Sequence, residues 1–177
     1  MKLFSLTRLH LRERGAHGSE SGVALVEFAL LLPIVLLILF GILDFGRAFN
    51  YWIDMTHLSN EGSRWAVVND NQGAPSQTLQ QYIQSRANTP ELQSGGTSQV
   101  PDPLEVCVAF PGESQGTVTA GDPVQVTVKT GYNWLPFIGN AFGALPPLTL
   151  RAESTMRLEQ IPDASKVNVA NNIGDCL

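Results

Sequence analysis

The sequence predicts an α+β fold: one long N-terminal helix, membrane-embedded over its first half, packed over its second half on a small antiparallel sheet. Three observations carry this. Residues 23–43 are apolar but for Glu27, and a helix of that length spans ~30 Å, the thickness of the hydrocarbon core. Small and apolar residues then recur at helical spacing as far as about residue 68. Beyond residue 103, three segments alternate apolar and polar residues, as half-buried strands do.

Residues 1–22 form a basic, Gly- and Ser-containing leader. Lys2, Arg8, Arg12 and Arg14 against Glu13 and Glu20 leave it at +2, so the remainder carries −7 of the chain's net −5. An acidic domain repels phosphate backbones, which argues against a nucleic-acid partner. The leader glycines lack the Lys-Ser/Thr of a phosphate-binding loop. Positive residues ahead of the span place the N-terminus in the cytoplasm and export the bulk of the chain. The apolar run is longer than a secretory signal core, and no Ala-x-Ala-like site closely follows it.

Residues 23–43 are therefore read as a transmembrane helix and 44–68 as its extracytoplasmic continuation. Pro33 removes a backbone donor and should bend or loosen the first part. Asp44 and Arg47 fall at the outer interface. Ala48, Trp52, Met55, Ser59, Gly62 and Ala66, spaced 4-3-4-3-4, define a face with a small far half that another element can approach closely. Asp54, Asn60, Glu61 and Arg64 lie mostly elsewhere, and Asp44 and Asp54 are read as parts of a solvated surface. Phe45, Phe49, Tyr51 and Trp52 suit the headgroup zone or packing against the domain.

Residues 69–159 make up the α+β domain and 160–177 a polar tail. Asn69–Pro75 is a break. A short helix is expected over 77–87, capped by Ser76, with Leu79, Tyr82 and Ile83 as its apolar stripe. Residues 88–103 read as loop. Strands are expected over 104–110, 122–130 and 148–159, with a short alternating piece at 117–119. In the first, Val106, Val108 and Phe110 share a side; in the second, Val124, Val126 and Val128 face inward and Gln125, Thr127 and Lys129 outward. The connection 131–147 is unusually apolar. Its Trp134, Phe137, Ile138 and Phe142 suit packing or a subunit contact better than a ligand pocket. Cys107 and Cys176, the only cysteines, are either one disulfide in an exported domain or two unrelated thiols.

Little else suggests chemistry. His10, His17 and His57 form no ligand cluster, no nucleophile elbow occurs, and neither cysteine has metal-ligand spacing. No metal, cofactor or small-molecule substrate is expected, and the chain is not read as an enzyme.

Glu27 is the sharpest feature. An acidic residue costs ~2.5–3.5 kcal/mol at the centre of a span and less near its ends. If the chain were cut after Gly22, Val23 would carry a new ammonium group, which could meet Glu27 of a neighbouring subunit and fix axial register. If it were not cut, Glu27 would tilt toward a headgroup or be protonated, and the chain would be a plain anchor.

The segments Gly22-Val-Ala-Leu-Val-Glu27-Phe28-Ala-Leu-Leu-Leu-Pro33 and Phe40-Gly41-Ile-Leu-Asp44-Phe45-Gly46-Arg47 resemble the TadE-like family. So does Asn60-Glu61-Gly62-Ser63-Arg64-Trp65-Ala66, which stands where that family usually has Arg-Glu-Gly-Ala-Arg. The resemblance covers about residues 20–68. It implies a pilin-like fold and a minor pilin or pseudopilin of a tight-adherence, Flp-type pilus. It also implies an inner-membrane location in a bacterium and processing by a prepilin peptidase, with Gly22 as the last leader residue and Glu27 as the acidic position. Its partners would be that peptidase, other pilus subunits and assembly-platform proteins. The alternative is an uncleaved, membrane-anchored binding module or adhesin using the 131–147 patch. Val23 departs from the usual Phe or Met, Phe28 from the Tyr of major Flp pilins, Asn60 from Arg and Ser63 from Ala. Major Flp pilins are also far shorter, which argues against the main filament subunit.

Overall fold

A computed structural model describes residues 18–68, 77–111, 118–136, 143 and 145–161. Most of the leader, the break at 69–75, the piece at 117, Phe137, Ile138, Phe142 and the tail with Cys176 lie outside the described residues. The order is α1 (Gly18–Val67), α2 (Leu79–Ser85), α3 (Pro90–Ser94), β1 (Glu105–Ala109), β2 (Pro123–Tyr132) and β3 (Leu148–Arg157). The chain divides into two compact units, Met1–Leu39 and Phe40–Leu177.

The described part of the first unit is helix. Helix α1 starts at Gly18, earlier than the expected Val23, and runs through Pro33 without interruption. Val23, Leu25, Val26, Phe28, Leu30 and Leu31 are all exposed. Such a surface is costly in water and natural in hydrocarbon, where a helix satisfies its own backbone. Helix α1 is long and apolar enough to cross a membrane.

The second unit holds the α+β domain. From α1 its core takes Ala48, Tyr51, Met55, Leu58, Ala66 and Val67. The expected face is right except at Trp52, which is 42% exposed while Tyr51 is buried. The Trp52 indole N–H donates to the Arg151 carbonyl on the sheet at 3.2 Å. The small end of the face does what its size allows: a Cβ on Gly62 would lie 3.0 Å from Val126 Cγ1 and 3.4 Å from Ile83 Cγ1. Here α1 meets both sheet and α2, and a side chain would overpack the junction.

Helix α2 is capped by Thr78 rather than Ser76. Thr78 Oγ1 accepts the Gln81 N–H at 3.4 Å, and Gln81 Oε1 accepts the Thr78 N–H at 3.0 Å, a reciprocal capping box. Its Leu79 and Ile83 are buried, and it lies against β1.

The stretch read as loop contains one turn of helix, α3. Pro90 opens it, because the first helical position needs no N–H donor, and it buries Leu92. Gly95 ends it at φ 66°. A Cβ there would sit 2.7 Å from the Pro101 carbonyl oxygen and from Asp102 carbon. Gly95→Ala should therefore lose at least about 2 kcal/mol, combining a left-handed backbone with a backbone clash. Thermal unfolding of the full chain in mild detergent measures this, and an unchanged midpoint would contradict it.

The sheet is antiparallel with order β1-β2-β3. Its register sets Val108 against Val126 and Val126 against Ser154. Val124, Val126 and Val128 are fully buried on the helix side. The opposite face was expected to meet solvent, yet Thr127 is 1% exposed, and Cys107 and Ala109 are buried too. Cys107, the cross-strand partner of Thr127, is in a disulfide, so the middle of this face is covered rather than wetted.

Candidate functional site

Gly22, Val23 and Glu27 all lie on α1 and are exposed. The Gly22–Val23 peptide bond is helical in this structure. Glu27 makes no hydrogen bond or ion pair among the described residues. It is a carboxylate on an otherwise apolar surface, with nothing among the described residues to neutralise it.

The second group was missed by periodicity. Asp44 and Asp54 are not solvated: they are 0% and 5% exposed. Asp44 sits one turn before Ala48 on the domain-facing side of α1. Its Oδ1 accepts a hydrogen bond from the Tyr132 hydroxyl, and its Oδ2 accepts the Leu135 N–H at 3.0 Å. Asp54 Oδ2 accepts the Asn88 N–H at 2.9 Å, and its Oδ1 accepts from the Asn88 side-chain amide. One carboxylate thus clamps α1 to the end of β2, and the other clamps it to the α2–α3 connection. Each satisfies backbone and side-chain donors that burial would otherwise strand.

Around Asp44 the rings close up. Tyr51 and Tyr132 have centroids 6.0 Å apart, and Trp134 meets Tyr132 edge-on at 5.9 Å. The Trp134 indole N–H donates to the Pro146 carbonyl at 3.2 Å. Half-buried Trp134 is therefore turned inward and holds the two ends of the 131–147 connection together. Whether Phe137, Ile138 and Phe142 join it lies outside the described residues.

Burial pushes the Tyr132 phenol above its ordinary value of 10.0, helped by its hydrogen bond to Asp44 and by that carboxylate's charge. Burial raises Tyr51 as well, with Glu91 adding to the shift and Arg47 opposing it. A phenol with a raised folded pKa stabilises the fold fully below the unfolded value and loses that contribution as pH rises through the folded one. Stability should therefore fall as pH climbs above about 10. Tyr132→Phe should flatten that loss while lowering stability at pH 7, where Asp44 Oδ1 loses its partner. Unfolding midpoints measured from pH 7 to 11 check both, and an unaltered alkaline slope would refute the assignment.

Two departures from the family's usual pattern have a local reason. Ser63 Oγ lies 2.9 Å from Ser154 Oγ, and Ser154 Oγ donates to Asn60 Oδ1 at 3.1 Å. Asn60 and Ser63 thus share one partner on β3. Glu61 pairs with Arg86 at 3.6 Å, an exposed pair of small energetic weight. Among the described residues, no group of three His, Cys, Asp or Glu side chains could hold a metal ion.

Comparison with known proteins places these features. Residues 22–64 match the family model described as TadE-like protein. No curated protein and no solved structure matches the chain. The chain carries a TadE-like segment, and that segment runs from Gly22 through Glu27 and both buried aspartates to Arg64.

Proposed function

We propose that this protein is a minor pilin or pseudopilin that acts in assembling a tight-adherence type IV-like pilus. Helix α1 enters the inner membrane with the basic leader in the cytoplasm, and the domain stands outside. A prepilin peptidase cuts between Gly22 and Val23. The new Val23 ammonium then pairs with Glu27 of an adjacent pilus subunit, which offsets the desolvation of both charges. Assembly-platform proteins are the other partners, and the chain catalyses nothing itself.

The supporting observation is Glu27: a carboxylate exposed on an apolar helix, without a partner among the described residues, inside the TadE-like segment. The helical Gly22–Val23 bond does not oppose cleavage. Gly18, Ser19, Ser21 and Gly22 are poor helix formers near a helix end, so local unwinding costs little.

N-terminal sequencing and intact-mass analysis of the membrane-extracted protein test the reading. A chain beginning at Val23 is expected. A chain beginning at Met1 in cells that make the pilus would refute it in favour of an uncleaved anchor carrying a binding module. In the exported domain Cys107 pairs with Cys176, the only other cysteine. Non-reducing peptide mapping should recover that linked pair, and a Cys107 bonded to another thiol would exclude it.

A further inference from the structure

Just beyond the apolar span, the second unit has an open groove of about 590 Å³, lined in part by Ile42, Leu43, Arg47, Asn50, Thr89 and Glu91. Its size falls in the range of small-ligand sites. At one end are Ile42 and Leu43, 66% and 55% exposed, the last apolar residues of the span. The rest of the lining mixes polar residues such as Arg47, Asn50 and Glu91 with Gly46 and the Tyr51 ring.

Two charges of opposite sign share this groove without pairing. Neither Arg47 nor Glu91 makes a side-chain hydrogen bond or salt bridge among the described residues, and their separation exceeds salt-bridge distance. Both nevertheless act on the Tyr51 phenol, with opposite sign. Thr89 and Asn50 also line it. A cation and an anion around one space call for a ligand carrying both charges. The apolar end at Ile42 and Leu43 calls for a ligand that also carries hydrocarbon.

We propose that this groove binds a zwitterionic phospholipid headgroup with a primary ammonium, of the phosphatidylethanolamine class. The phosphate accepts from the Arg47 guanidinium, with the Asn50 amide as a further donor. The ammonium donates to the Glu91 carboxylate. The acyl chains leave over Ile42 and Leu43 into the bilayer. A lipid held here would fix the depth at which the domain stands on the membrane. The inference rests on α1 crossing the membrane with Asp44 and Arg47 at its outer boundary.

Native mass spectrometry of the full chain in mild detergent tests it, with added phosphatidylethanolamine, phosphatidylglycerol or phosphatidylcholine. Wild type should retain phosphatidylethanolamine about tenfold better than phosphatidylglycerol, which lacks the ammonium, the difference made by one charge-assisted contact. It should also retain it better than phosphatidylcholine, whose ammonium cannot donate. Arg47→Gln should weaken retention of both phosphatidylethanolamine and phosphatidylglycerol. Glu91→Gln should abolish the preference between them while leaving phosphatidylglycerol unchanged. Equal retention of the three lipids by wild type, or a preference untouched by Glu91→Gln, overturns the proposal, as does retention of phosphatidylethanolamine unaltered by Arg47→Gln. Circular dichroism of each variant confirms that the fold persists. Carbonate extraction separates the two levels of inference: absence from the membrane pellet defeats the membrane reading itself, whereas membrane protein without lipid preference defeats the groove alone.

Discussion

Asp44→Ala is expected to cost the domain about 4 kcal/mol. The Asp44 carboxylate is wholly buried and holds two donors, the Tyr132 hydroxyl and the Leu135 N–H. Alanine removes both charge-assisted bonds, strands the Leu135 N–H and leaves the Tyr132 hydroxyl only its 3.2 Å bond to the Asp44 carbonyl, and a buried unsatisfied group costs roughly 1–3 kcal/mol. The lost side chain also opens a space beneath the Tyr51–Tyr132 pair. Against a typical total of about 5–15 kcal/mol, this is a large fraction. Asp44→Asn keeps the shape, and its amide oxygen still accepts the Leu135 N–H, so it should cost roughly 1–2 kcal/mol, the charge assistance alone. Denaturant unfolding of the full chain in detergent, followed by tryptophan fluorescence, reports both, because Trp134 meets Tyr132 edge-on. If Asp44→Ala unfolds within 1 kcal/mol of wild type, roughly the value of one ordinary hydrogen bond, Asp44 is not the clamp described.

Glu27→Ala has the opposite signature: little effect on the isolated chain and a large one on assembly. Glu27 has no hydrogen bond or ion pair among the described residues, so its removal breaks none there, and inserting the span becomes easier. What disappears is the pairing proposed with the Val23 ammonium of a neighbour. Breaking a desolvated ion pair by deleting one member costs about 3–5 kcal/mol, because the other charge is left bare. Pilus yield should therefore fall at least about 100-fold while membrane-fraction abundance stays at the wild-type level. Glu27→Asp, one methylene shorter, should recover only part of the yield. Piliation at the wild-type level in Glu27→Ala cells would sink the assembly role.

Much of this molecule was legible before any coordinates. The span was evident because every position from 23 to 43 but Glu27 is apolar, a signal that needs no knowledge of partners. The α+β class followed from a change of period, from helical spacing through Ala66 to alternation in 124–128 and 148–158. The small far half of that helical face, which includes Gly62, is legible as a place of close approach from residue size alone. The resemblance over about residues 20–68 is legible because it rests on three short motifs in the sequence, and the family model matches residues 22–64 within it.

The failures share one cause. Asp44 and Asp54 were read as solvated because a carboxylate on a helix is normally paired with water. Nothing local to them announces Tyr132, Leu135 or Asn88, which lie 88, 91 and 34 residues away. Thr127 was placed outside because alternation reports only which residues share a face, not whether that face is covered. Thr78 and α3 were missed for a milder reason: a two-residue shift of a cap and a five-residue helix fall below what propensity can locate. By itself, then, the sequence determined the elements whose cause is local: the long apolar helix, the strand pattern and the lone carboxylate at position 27. Tertiary structure alone decided which polar groups became internal. A buried carboxylate is tolerated only where distant donors converge on it, and convergence is a property of the folded chain.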